Sequence, residues 1–132
     1  MKKVILILLL FFTATVSSFA DIKLIVSSGL NKDNMPLDRL KYIPFDEDHE
    51  YILFLYDDDY NAMGLTKVYF ETYIYDEASE EYEFENTYTV DARSDWYSCF
   101  KGVLFTKPGR MKIKVFTDGG DLTLKYISVV EE

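Results

Sequence analysis

The chain alternates between short apolar runs and clusters of turn-forming residues, with a period of two through most of its length. Residues 22–27 read as a first strand. Residues 28–48 are polar and turn-rich, with Gly29, Pro36 and Pro44, and leave room for at most a short helical turn around Leu37 to Tyr42. Tyr51 to Tyr56 is a continuous apolar run, as expected of a strand buried on both faces. From Leu65 to Tyr75 the alternation is clear: Thr66, Val68, Phe70, Thr72 and Ile74 share one face, while Lys67, Tyr69, Glu71, Tyr73 and Tyr75 share the other.

The turn from Asp76 to Glu81 leads into a second alternating run, with Tyr82, Phe84, Asn86, Tyr88 and Val90 on one face, so the two runs predict a hairpin. Residues 96–105 follow as one strand or two short ones, with a bulge expected at Gly102. Lys107-Pro108-Gly109-Arg110 has turn chemistry: Pro presets φ and Gly supplies a positive one. Met111, Ile113 and Val115 alternate with Lys112, Lys114 and Phe116; Asp118-Gly119-Gly120 signals a hairpin, and Leu122, Leu124 and Tyr126 alternate with Thr123, Lys125 and Ile127. No stretch of ten or more residues has a helical period. About seven strands at such spacing predict an all-β fold, an antiparallel β-sandwich.

The ending resembles the last hairpin of immunoglobulin-like domains in bacterial cell-envelope proteins, where a Pro-Gly turn leads into an alternating strand. Here the turn is Pro108-Gly109 and the strand Met111-Lys112-Ile113-Lys114-Val115. The resemblance covers residues 96–130 and implies an immunoglobulin-like architecture. An aromatic residue would be expected where Met111 stands, and the resemblance transfers no functional residue.

The N-terminus follows a different logic. Met1-Lys2-Lys3 precedes an unbroken apolar run from Val4 to Phe12, and Ser18-Phe19-Ala20 places small residues before Asp21. That order predicts a cleaved signal peptide over 1–20 and one domain over 21–132, in a periplasmic or secreted protein. The run is shorter than the ~18 apolar residues of a membrane span. Asp21 in place of Cys argues against a lipid anchor.

Charge changes the picture more than composition does. The 132 residues are 48% hydrophobic and 17% aromatic, enough for one core, and carry 14 Lys plus Arg against 23 Asp plus Glu. A formal charge of -9 excludes nucleic acid as the expected partner. Loss of Lys2 and Lys3 with the leader makes the mature chain -11. The charge is also segregated: residues 46–85 hold 14 acids and one base, Lys67, whereas residues 101–125 hold six bases and two acids. Either a solvated acidic face is joined by pairing between acidic and basic strands, or the field steers a cationic partner or gathers divalent ions. The basic hairpin suits contact with an acidic partner or, through Lys112, Lys114 and Lys125, protection of a sheet edge.

Candidate chemistry is sparse. Asp57, Asp59 and Asn61 alternate in a carboxylate-dense loop with the oxygen donors that Ca2+ takes, though Ala62 and Val68 occupy positions where an EF-type loop needs Gly and Glu. His49 lies among Asp46, Glu47, Asp48 and Glu50, as a solvated side chain or a weak metal ligand. Cys99, the one cysteine, is either buried or a route to an intermolecular disulfide. No nucleophile–base arrangement and no phosphate loop is present, so no enzyme activity is expected. Tyr69, Tyr73 and Tyr75 are core if their strand is covered on both faces. If their face is open, they form a platform for an envelope or extracellular protein, or for carbohydrate.

Overall fold

Val68, Phe70 and Thr72 alternate with Tyr69, Glu71 and Tyr73 along one strand, and only the first set is fully buried. That asymmetry runs through a computed structural model, which describes residues 21–132; the predicted leader, residues 1–20, lies outside the described residues. The strands are β1 (Ile22–Ser27), β2 (Ile43–Pro44), β3 (Tyr51–Asp57), β4 (Lys67–Asp76), β5 (Glu81–Asp91), β6 (Ser98–Val103), β7 (Gly109–Thr117) and β8 (Gly120–Val130). They form a three-stranded sheet, β1-β3-β6, and a five-stranded sheet, β2-β8-β7-β4-β5. All named pairings are antiparallel except β2 with β8. The expected sandwich is therefore present, with the two-residue β2 as an eighth strand. No helical turn forms at 37–42.

Inward residues of both sheets make one core: Leu24 and Val26 from β1, Leu53 and Leu55 from β3, Val68 and Phe70 from β4, Ile113 and Val115 from β7. Burial of this apolar surface is the main favourable term in the fold. β3 is buried on both faces, as its composition predicts, and the second face has its own cover. Ile52, Phe54 and Tyr56 join Ile25 in a smaller cluster beneath Leu30 and Met35. The covering segment is tied down by Asp38, whose carboxylate accepts from the Ser27 hydroxyl (2.9 Å), the Ser28 amide (2.8 Å) and the Ser28 hydroxyl (2.6 Å). Burial pushes the Asp38 carboxyl up, but these hydrogen bonds, with the His49 ring nearby, outweigh it and hold the group below its ordinary value.

Two register shifts redirect side chains. One falls between Thr72 and Tyr73, so Tyr73 faces Phe84 while Thr72 faces Asn86, leaving Glu85 as the extra residue. Tyr88 and Val90 therefore point inward opposite Phe70 and Val68, whereas Tyr82 and Phe84 point outward opposite Tyr75 and Tyr73. The second falls between Val115 and Phe116 and makes Leu122 the extra residue; Leu122 turns in, while Leu124 and Tyr126 turn out. The single faces expected for Tyr82–Val90 and for Leu122–Tyr126 are each split in this way. No shift occurs at Gly102, where the β3–β6 register is continuous. The glycine instead makes room: a Cβ there would collide with the Glu50 carboxylate. At the Pro108-Gly109 turn the expected positive φ is observed, 146° at Gly109.

Candidate functional site

The outer face of the five-stranded sheet is the feature that packing alone does not explain. β4 is central in its sheet, yet no second layer covers its outer side, so Tyr69, Tyr73 and Tyr75 are half-buried and in contact with solvent rather than part of the core. The two bulges add Tyr82, Phe84, Leu124 and Tyr126 to the same side. Phe84, Leu124 and Tyr126 are 57%, 50% and 60% exposed. Exposed apolar groups gathered on one face and rimmed by polar residues are one mark of an interaction site.

The rings are organised in pairs. Tyr73 meets Phe84 edge-on at 5.8 Å between centroids, Tyr75 meets Tyr82 at 5.2 Å, and Tyr69 stacks on Phe116 at 5.0 Å. Tyr82 reaches over the intervening strands to within 5.6 Å of Tyr126. Two polar tips are anchored: Tyr73 Oη donates to Glu71 (2.8 Å) and Tyr69 Oη donates to Asp118 (3.0 Å). Each hydrogen bond to a carboxylate raises the tyrosine's pKa. The two bonds tether the Tyr69 and Tyr73 rings.

β7 threads cations between them. Arg110 Cζ lies 3.8 Å from the Tyr75 ring centroid; Lys112 Nζ lies 4.4 Å from that of Tyr73 and 5.4 Å from that of Tyr82. Such contacts are worth about 0.5–1 kcal/mol each at exposed sites. Among the described residues there are two ion pairs, Arg93–Asp95 at 3.2 Å and Lys114–Asp121 at 3.6 Å. Arg110 and Lys112 thus rest on aromatic rings and not on carboxylates, and their N–H groups remain free to meet an outside acceptor. Pairing between acidic and basic strands, as weighed from the sequence, reaches only this far: Glu71 stands opposite Lys114 in register, but Lys114 contacts Asp121.

The other sequence candidates lie apart from this face. Asp57 is buried, and its Oδ2 accepts from the amides of Asp59 (3.0 Å) and Asn61 (2.9 Å), with Tyr60 between them at a φ of 60°. The Asp57 carboxylate holds the turn that follows β3; Asp59 and Asn61 are exposed. No group of three His, Cys, Asp or Glu side chains among the described residues has the geometry to hold a metal ion. His49 Nε2 sits 2.7 Å from the Ser28 carbonyl, which can only accept, so this nitrogen carries the proton and ties the 46–50 segment to the 28–38 segment. Cys99 is buried in the inter-sheet core, and burial pushes its thiol up to about 12, far from the thiolate that disulfide exchange requires.

A wide groove of about 560 Å3 lies at the open side between β5 and β6, lined by Met35, Trp96 and Phe100 among others; its charged residues, Asp33, Asp91 and Asp95, are all acids. Sequence reasoning missed Phe84, Arg110, Lys112, Phe116 and Tyr126 as members of the tyrosine face. The signal available was the Lys112–Lys114 alternation, whose polar side had to share a sheet face with the tyrosines.

Two packed sheets with this strand order, antiparallel but for the short β2–β8 pairing, form an immunoglobulin-like β-sandwich. The chain is similar in structure to an immunoglobulin-like protein from Pseudomonas aeruginosa, with a TM-score of 0.50 over 84% of this chain and 99% of that one, at 11% sequence identity. A likeness at that identity establishes the fold and nothing finer. No protein-family model matches the chain, and no curated protein does either.

Proposed function

We propose that this chain is an exported, non-catalytic interaction module whose outer β8-β7-β4-β5 face docks a protein in the bacterial envelope or outside the cell. The observation that carries the reading is the row of Arg110 and Lys112 laid on Tyr75 and Tyr73 across an uncovered sheet face. Aromatic and arginine side chains are the residue types that dominate binding energy at protein interfaces. Four strands ~4.8 Å apart and about ten residues long offer a footprint of roughly 600 Å2, close to one side of a small specific interface. A carbohydrate would stack on open ring faces, and here the Tyr73 and Tyr75 rings are already occupied by cations; this favours protein over sugar. The export half of the reading rests on the ordered basic, apolar and small-residue segments of residues 1–20.

Affinity capture from envelope extracts tests the reading, with the chain as bait beside two charge reversals. Lys112→Glu is expected to abolish capture of a discrete protein, whereas Lys23→Glu, an exposed position on β1 in the other sheet, is expected to leave it intact. Equal capture by all three baits, or loss with Lys23→Glu alone, would move the interface elsewhere.

A further inference from the structure

The outer face is divided by the exposed ring of Tyr126 into two shallow pockets. On one side Lys112 and Lys114 lie beside Leu124; on the other, Arg110 and Lys41 lie beside Tyr82. Each pocket thus pairs two cations with an apolar wall. Acids are near both: Asp121 lines the first and contacts Lys114, while Glu132 accepts a 3.2 Å hydrogen bond from Tyr42, which lines the second. Lys112, Arg110 and Lys41 have no ion-pair partner among the described residues.

From these observations we infer that the face reads an extended acidic segment of a partner protein, with carboxylates two residues apart straddling Tyr126. The spacing follows from the strand. Arg110 and Lys112 are successive outward positions on β7, opposite Ser128 and Tyr126 of β8, so the two cations leave the sheet about 7 Å apart, the distance between same-face side chains in an extended chain. Carboxylates at i and i+2 of such a segment enter one pocket each, accepting from Lys112 on one side and Arg110 on the other, while the residue between them passes over the Tyr126 ring. Arg110 is suited to this role because its planar fork can stack on Tyr75 and still present N–H donors outward. Symmetric pairing of this face with itself in a second copy is disfavoured, because it would set Arg110, Lys112 and Lys114 of one copy against the same cations of the other.

The inference rests on the interaction-module reading, and its test is separable from capture of the native partner. The probe is a labelled threonine-rich peptide carrying a central Glu-Thr-Glu, compared with the same peptide carrying Glu-Thr-Thr-Glu, each titrated into the full mature chain by fluorescence polarisation. The Glu-Thr-Glu peptide is expected to bind about tenfold more tightly, and Lys112→Glu or Arg110→Glu to weaken it by about tenfold or more. Both substituted side chains lie on the outer face, so unchanged melting temperatures verify that the variants remain folded. Equal affinity for the two spacings, no binding of Glu-Thr-Glu at millimolar concentration, or equally strong competition by heparin would overturn the inference. If capture of the native partner still depends on Lys112 while the peptide spacing makes no difference, the docking face stands and the acidic-segment assignment falls.

Discussion

Phe70→Ala is expected to destabilise the domain by about 3–5 kcal/mol and lower its melting temperature by roughly 10 °C or more. Phe70 is fully buried and heads the large side chains of the inter-sheet core. Its strand is held on both sides, with Phe70 opposite Tyr88 of β5 and Val115 of β7, so the backbone has little freedom to collapse into the void. Removing the ring therefore loses both its transfer free energy and the contacts of its lining. Urea unfolding followed by tryptophan fluorescence should show a lower midpoint at an unchanged slope. A cost below about 1 kcal/mol would mean that the Phe70 side chain does not sit between the sheets as described.

Phe54→Ala tests the second cluster, with an expected cost of about 3 kcal/mol and a different signature. Phe54 points away from the inter-sheet core, with Ile25, Ile52 and Tyr56 for company and Leu30 and Met35 as cover. The covering segment is fixed by backbone bonds from Leu37 N–H to Gly29 O (3.0 Å) and from Leu40 N–H to Val26 O (2.9 Å). Truncating Phe54 should loosen this segment first. Amide exchange at Leu37 and Leu40 is expected to accelerate more than exchange at Ile113, which lies in the centre of the other sheet. Uniform acceleration across both sheets would show that the two clusters unfold as one.

The strands themselves were legible because a half-buried strand writes its burial pattern directly into the chain at period two. β3 reads as apolar throughout, and it is covered on one side by β4, β7 and β8 and on the other by the 28–42 segment. What period two cannot reveal is an extra residue. Glu85 and Leu122 each shift the phase of their strand, and neither position carries the Gly or Pro that marks a bulge. Gly102, the residue type expected of a bulge, instead leaves room for the Glu50 side chain against the backbone. The short β2 is equally hidden, because two residues hold no periodicity and its pairing with Val129 and Val130 is set by tertiary packing.

The same phase shifts explain why the candidate site was half visible. Tyr69, Tyr73 and Tyr75 share a face on alternation alone, but whether a central strand is covered on both sides depends on layers that local sequence does not encode. Tyr82, Phe84 and Tyr126 reach that face only through the bulges. Lys112 and Lys114 alternate along their strand in a pattern that also suits protection of a sheet edge. β7 is instead flanked by β4 and β8. Its cations are interior to the sheet and face a field of rings, an arrangement with no part in shielding an edge.

The claim that the outer face of the five-stranded sheet is the docking surface is tested most directly by site-specific photocrosslinking in cells producing the full chain. A benzophenone side chain is placed at Tyr126, 60% exposed on that face, or at Phe100, 37% exposed on the outer side of the three-stranded sheet. The account predicts a discrete protein adduct from position 126 and none from position 100. Adducts from position 100 alone, or from neither position, would contradict it.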